Sequence, residues 1–151
     1  MRQLAAAAIL ALAASPSFAS GGLSCTGDDD KVKFDIESGV TSGMGGPVFN
    51  FRGTVEILDT SVAEDLRRLE FARDHLPQYW LDNKRLSLHL YRERDADKPH
   101  GYVDLVIETQ PGDDEGLYGG QYEISVFDTV DEATVEPRTY QASGTVSCFV
   151  E

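Results

Sequence analysis

Basic residues are scarce in this sequence. The chain has 151 residues, with 13 Lys and Arg against 26 Asp and Glu, and its formal net charge is −13. A surface this acidic repels nucleic acid and anionic lipid, so the charge excludes nucleic acid as a partner and favours cationic proteins or divalent metal. A solvated acidic surface that binds nothing through its charge is the alternative interpretation.

Long apolar runs are missing except at the start of the chain. Residues 1–19 follow the order of a cleaved signal peptide: Arg2, an apolar stretch from Leu4 to Ala14, and a small-residue exit ending at Ala19. That stretch is shorter than the about 20 apolar residues of a membrane span, so we expect no stable membrane insertion after cleavage. The sequence predicts one secreted β-domain over residues 20–151, exported to the periplasm or the cell exterior.

Cysteine is limited to two residues, Cys25 and Cys148, one near each end of the exported part. An oxidising compartment favours their pairing, and we predict a disulfide between them. Such a bond closes a loop of more than a hundred residues, for which chain entropy gives about 4 to 5 kcal/mol. Two free thiols or a metal site are the alternatives to the disulfide. Lipidation of Cys25 is the alternative processing of the N-terminus, and it would leave Cys148 without a partner.

Helical periodicity is also rare, because apolar and polar residues alternate over most of the chain beyond residue 31. Alternation of this kind is typical of half-buried strands. It predicts an all-β fold, a single antiparallel β-barrel or, as the alternative, a β-sandwich of about six to eight strands. The clearest predicted strands cover residues 31–37, 48–58, 85–92, 101–109, 119–127 and 138–149.

One segment, residues 62–76, departs from this alternation. Its apolar residues recur at spacings of three and four, which predicts a short helix, with Ser61 and Glu64 as a capping box and Pro77 ending it. A rival interpretation makes residues 65–71 a strand. With an even number of up-and-down strands the two cysteines fall at the same end of the barrel, and this argument favours the helix.

Two groups of acidic residues suggest a calcium site. In a simple up-and-down barrel both groups fall at the same end, and together they supply the six to eight oxygen ligands that calcium takes. Neither group has the ligand spacing of an EF-hand loop, and solvated acidic turns are the alternative. The candidate ligands are Asp28, Asp29, Asp30, Asp113, Asp114 and Glu115.

Two apolar side chains are candidates for contact with a partner. Met44 stands at the tip of a glycine-rich loop, and Trp80 is the single tryptophan of the chain. For Trp80 the alternative is a place with Tyr79 and Leu81 in a core or rim cluster, because aromatic residues usually serve burial first.

Motifs for catalysis are absent: the three histidines are scattered, and no serine sits in a Gly-x-Ser-x-Gly elbow. We therefore expect a non-enzymatic binding or inhibitor-type module that acts on a cationic protein or a small ligand. The predicted plan, a compact β-barrel with a terminal disulfide, is similar to that of small periplasmic enzyme inhibitors, including lysozyme inhibitors. A hydrolase or metal-dependent enzyme is the alternative.

Overall fold

The computed structural model of the protein describes residues 20–41, 48–82, 84–129 and 136–151. The predicted signal peptide lies outside these residues. No helix within them is long and apolar enough to cross a membrane. They contain the strands β1 (Ser20–Asp28), β2 (Val32–Thr41), β3 (Val48–Ile57), β4 (Arg68–Ala72), β5 (Gln78–Asp82), β6 (Arg85–Glu93), β7 (Gly101–Pro111), β8 (Leu117–Asp128) and β9 (Arg138–Val150), the helical turn α1 (Glu64–Arg67) and a 3-10 turn (Arg73–His75).

All described strands belong to one antiparallel sheet in the order β4-β3-β2-β1-β9-β8-β7-β6-β5, which curves into a half-barrel. It consists of two meanders joined where β1 pairs with β9. The all-β antiparallel prediction is confirmed, but the described residues hold nine strands instead of six to eight. The alternation failed to show β1 and β5, because β1 is rich in small residues and β5 has only five residues.

The disulfide between Cys25 and Cys148 is confirmed, and it joins the two meanders. The two residues are direct partners on β1 and β9, with a Cα–Cα distance of 4.0 Å, and both are buried. The argument that led from the disulfide to a helix was wrong. Cys25 lies within β1, which precedes the first predicted strand, and β4 and β5 run in the same direction. Nine strands therefore place the two cysteines on adjacent antiparallel strands.

Of the helix predicted over residues 62–76 only the short α1 is present, because the backbone adopts an extended conformation from Arg68 onward. Leu69 and Phe71 point into the core from β4 and pair with Val55 and Gly53 of β3. The rival interpretation, a strand over 65–71, was closer. The capping box is also wrong, since α1 has no side-chain cap and the Ser61 amide donates to Asp59 instead.

Inward side chains of every strand alternate into one hydrophobic core. Burying each large aliphatic side chain there contributes about 1.5–3 kcal/mol. Its most buried members include Ile36, Ile57, Leu86, Leu90, Leu105, Ile107 and Ile124. The short segment 73–77 connects the two sheet edges, β4 and β5, and buries Leu76 between them.

Side chains cover the free edge of β4. The Ala72 amide donates to His75 Nδ1 at 2.9 Å, and the Arg92 guanidinium donates to the Glu70 carbonyl oxygen. Burial, followed by the nearby charge of Arg92, lowers the pKa of His75, which keeps the ring neutral as an acceptor. The edge is therefore blocked to further strand pairing, which an uncovered edge invites.

Two polar clusters fix the lower end of the half-barrel, the end where β1 turns into β2. The Tyr122 hydroxyl of β8 donates to Asp29 Oδ2 at 2.6 Å. Arg94 pairs with Asp128 at 2.8 Å and with Asp65 of α1 at 2.9 Å, with the Arg94 and Asp128 side chains each only 7% exposed. These contacts link α1 and the β1–β2 turn to β8.

Candidate functional site

Trp80 points to the outer face of the sheet from the edge strand β5, and it is 50% exposed. Its indole N–H donates to Asp82 Oδ2 at 2.7 Å, which lowers the pKa of that carboxyl. The Arg85 guanidinium lies 4.7 Å from the ring centroid. Tyr79 and Leu81 pack against the core, as expected for a core or rim cluster. Trp80 is instead open to solvent, with its indole held by Asp82.

A shallow cavity of about 230 Å³ lies beside Trp80. We call it the Trp80 groove. Strands β5, β6 and β7 are neighbours in the sheet, and every second side chain of each points to this outer face. All three therefore contribute to the groove. The polar and aromatic residues that line it are Gln78, Tyr79, Trp80, Arg85, Ser87, His89 and Glu108, and Leu88 and Val106 complete the lining.

Register explains why these residues meet. Trp80 pairs with Ser87, and Ser87 pairs with Glu108 on the other side, so the three form one row across the outer face. Gln78 and His89 form the neighbouring row. Within the described residues, the side chains of Gln78, Ser87 and Glu108 have no hydrogen-bond or ion-pair partner, so their polar atoms are open to a ligand.

Ser87 and His89 line the groove and Asp104 contacts His89, but the three are not assembled as a catalytic triad. His89 Nε2 lies 2.9 Å from Asp104 Oδ1, which fixes the ring. A nucleophilic serine must be within hydrogen-bond reach of the same imidazole. No hydrogen bond joins Ser87 to His89 in the described part of the chain.

Aromatic rings form a second feature lower on the same face, which we call the aromatic strip: Tyr91, His100, Tyr102 and Phe127. Tyr102 and Phe127 stack at 5.4 Å between centroids, and Tyr91 lies 5.3 Å from Tyr102. Burial, with the hydrogen bond from its hydroxyl to Glu93, raises the pKa of Tyr91 to about 12. The hydroxyl therefore remains protonated at neutral pH.

The outer face of β1–β4 differs in kind, because cross-strand ion pairs cover it. Lys33 pairs with Asp28 at 3.2 Å and Arg68 with Glu56 at 3.0 Å, and Arg52 pairs with Glu37. A cavity of about 570 Å³ lies along this face and is larger than the Trp80 groove. Three carboxylates of this face are neutralised by these pairs, and among its described residues Phe49 of β3 is the exposed aromatic ring.

Segment 65–98 holds eight of the 13 basic residues of the chain. Several of them make contacts within the molecule. Arg73 donates to the Leu76 carbonyl oxygen and lies over Tyr79. Arg68, Arg85, Arg92 and Arg94 make the contacts already described. On the outer face of β7 and β8, Glu108 and Glu123 have no ion-pair partner within the described residues.

The two acidic groups proposed for calcium lie at opposite ends of the sheet. Asp28 ends β1, and the residues after it form the turn at the lower end. Residues 113–115 form the β7–β8 turn at the upper end, where the Val150 amide donates to Gly116. The expectation that both groups converge is therefore wrong, because β4 and β5 run in the same direction and carry the chain along the sheet once more between the two turns.

The chemistry of the two groups differs as well. Asp29 accepts the Lys31 and Val32 amides as well as the Tyr122 hydroxyl. Burial raises the pKa of Asp29, but these hydrogen bonds outweigh it and lower the pKa overall. In the described residues, no group of three or more His, Cys, Asp or Glu side chains is arranged to hold a metal ion. Calcium binding itself stays an untested prediction.

Met44, the other candidate partner contact, lies outside the described residues. Sequence reasoning missed Gln78, Ser87, Glu108, Glu123 and the aromatic strip as site residues. The alternation in Gln78–Asp82, with Tyr79 and Leu81 inward, is the signal that would have revealed Gln78. No protein family, curated protein or solved structure matches this chain. Function is therefore argued from the site alone.

Proposed function

We propose that this protein is an exported, non-enzymatic binding module that holds a cationic protein partner against the outer face of β5–β8. Export follows from the signal-peptide pattern, and the Cys25–Cys148 disulfide is consistent with an oxidising compartment. An inhibitor-type role, in which the partner is a cationic hydrolase such as lysozyme, is the specific form of the proposal.

The observation that carries the proposal is the chemistry of the outer face of β6–β8. The exposed carboxylate of Glu123 stands there beside Val106 without an ion-pair partner in the described residues, and Phe127 of the aromatic strip lies four residues further along β8. Aromatic rings attract Lys and Arg by cation–π interaction, and unpaired carboxylates supply charge complementarity. The net charge of −13 steers a cationic protein towards the molecule.

Binding of purified lysozyme, measured by calorimetry, tests the proposal. We expect Glu123→Lys to weaken binding by about tenfold, which is about 1.4 kcal/mol. Asp35→Lys is the matched control, since it makes the same charge change on the outer face of β1–β4. Raising the salt concentration from about 0.1 M to about 1 M should weaken binding further, because the Debye length falls from about 10 Å to about 3 Å.

Two results would overturn the proposal. One is the absence of binding to lysozyme and to other cationic proteins at low salt. The other is an equal loss of affinity in Asp35→Lys and Glu123→Lys, which would show that net charge acts without a defined face.

A further inference from the structure

The upper part of the same face offers a second kind of site, because Trp80 is rigid and exposed at once. Asp82 fixes the indole through its N–H, and Arg85 covers one side of the ring. Half of the residue remains open to solvent. An aromatic residue needs no such fixed, open position for core packing, whereas a flat ligand needs an aromatic surface that is already in place.

The polar groups beside the indole match an uncharged ligand rich in hydroxyls. The Gln78 amide both donates and accepts, the Ser87 hydroxyl does the same, and the Glu108 carboxylate accepts. All three lack partners within the described residues, and His89 is fixed by Asp104. Val106 adds an apolar patch to the lining.

Charge and size narrow the class of ligand. A cationic group is disfavoured because Arg85 already lies over the indole, and an anionic group is disfavoured by Glu108 and Asp82. The cavity of about 230 Å³ is smaller than the about 300–1,000 Å³ of pockets that bury drug-sized molecules. A single uncharged ring with an apolar face and a polar rim fits these limits.

We propose that the Trp80 groove binds one ring of an uncharged saccharide. The apolar face of the sugar stacks on Trp80, and its hydroxyls bond to Gln78, Ser87 and Glu108. This goes beyond the proposed function and rests on other residues of the outer face, Trp80, Gln78, Ser87 and Glu108. The ring is supplied either by a free sugar or by a unit of a longer glycan.

Trp80 makes the test direct, because it is the only tryptophan in the chain and its fluorescence reports this groove alone. The purified protein is titrated with glucose, galactose and N-acetylglucosamine, and with their β-linked oligomers. We expect a saturable change in emission with at least one uncharged series. A response to the monosaccharide indicates a free sugar as the source, and a response to the oligomers alone indicates a glycan.

Variants locate the binding. Ser87→Ala and Glu108→Gln should each weaken the saccharide response by about tenfold, because each removes or alters one hydrogen-bonding group. Thr145→Ala is the matched control: it lies on the outer face of β9, in the row of Ser87 but beyond the groove. Far-UV circular dichroism and thermal midpoints check that all three variants fold.

The absence of a saturable change with every saccharide would overturn this inference. A stronger response to the charged analogues glucosamine or galacturonic acid than to the uncharged sugars would overturn it as well. So would an equal loss in Thr145→Ala. Lysozyme binding is measured independently, so failure here leaves the proposed function to its own test.

Discussion

The outer faces of β1–β4 and β5–β8 have the same strand geometry, but they differ in how their carboxylates are paired. On the first face, Lys33, Arg52 and Arg68 each neutralise a carboxylate on a neighbouring strand. On the second face, aromatic rings take the place of cations, and Glu108 and Glu123 remain exposed. Charges that are paired within the chain have little left to offer a partner. The second face is therefore where we locate binding.

The ion pairs of the two regions also differ in burial. The ion pairs of the first face are exposed, and pairs of this kind contribute about 0–1 kcal/mol each. Beneath the lower end of the second face, Arg94 forms a buried pair with Asp128. A buried pair is costly to break, because removing one partner leaves an uncompensated charge away from water. The free energy of unfolding should thus depend on the buried ion pair and hardly on the exposed ones.

The largest effect is expected from Arg94→Ala. Loss of the guanidinium leaves Asp128 buried without its partner, and this should lower the free energy of unfolding by about 3–5 kcal/mol. Arg68→Ala on the exposed pair with Glu56 is the control and should cost about 1 kcal/mol or less. Urea unfolding of both variants measures the difference. Equal costs would break the contrast between buried and exposed pairs.

The seam between the two halves is the next point to test. β1 and β9 pair over only four residue positions, from Leu23 to Thr26, and the disulfide lies within this short ladder. Replacing both cysteines by serine should lower the free energy of unfolding by about 2–5 kcal/mol. Denaturant unfolding of the wild type with and without reductant measures the same quantity. A stability unchanged by reduction would show that the short ladder suffices.

A smaller effect is expected where the β1–β2 turn meets β8 and β9. A Cβ on Gly144 would overlap the Asp29 carboxylate and would lie 2.6 Å from the Tyr122 ring. Gly144→Ala should therefore lower stability by about 1–3 kcal/mol through overpacking. Gly119→Ala is the matched control on β8, since nothing lies within 4 Å of its added Cβ. The thermal midpoints of the two variants should separate clearly.

Several parts of the fold could be predicted from the sequence because they depend on local pattern. Alternation identified most of β2, β3 and β6–β9, and it placed Ser87, His89 and Tyr91 on the outward side of β6. Cysteine parity identified the disulfide. By contrast, the apolar spacing in 62–76 fits both a helix and a turn followed by a strand. Pairing of β4 with β3 decided between them, and that contact is not local.

The candidate site was less accessible to sequence reasoning. Trp80 could be singled out as the only tryptophan. Its exposure, however, depends on the position of β5 at the edge of the sheet, where β6 is its single neighbouring strand. Glu108 enters the groove through the register of β6 and β7, which no local pattern reports. The acidic turns show the same limit, because the additional pass of the chain through β4 and β5 puts them at opposite ends.

The sequence by itself determined the all-β class, the Cys25–Cys148 pair, the acidic charge and the inward or outward side of most strand residues. These follow from side-chain period, composition and cysteine count, which are properties of the chain alone. Only the tertiary structure decided the number of strands, the half-barrel and the set of residues around Trp80. Strand order and register bring together residues that are far apart in sequence, and their free energy arises only when the sheet is assembled.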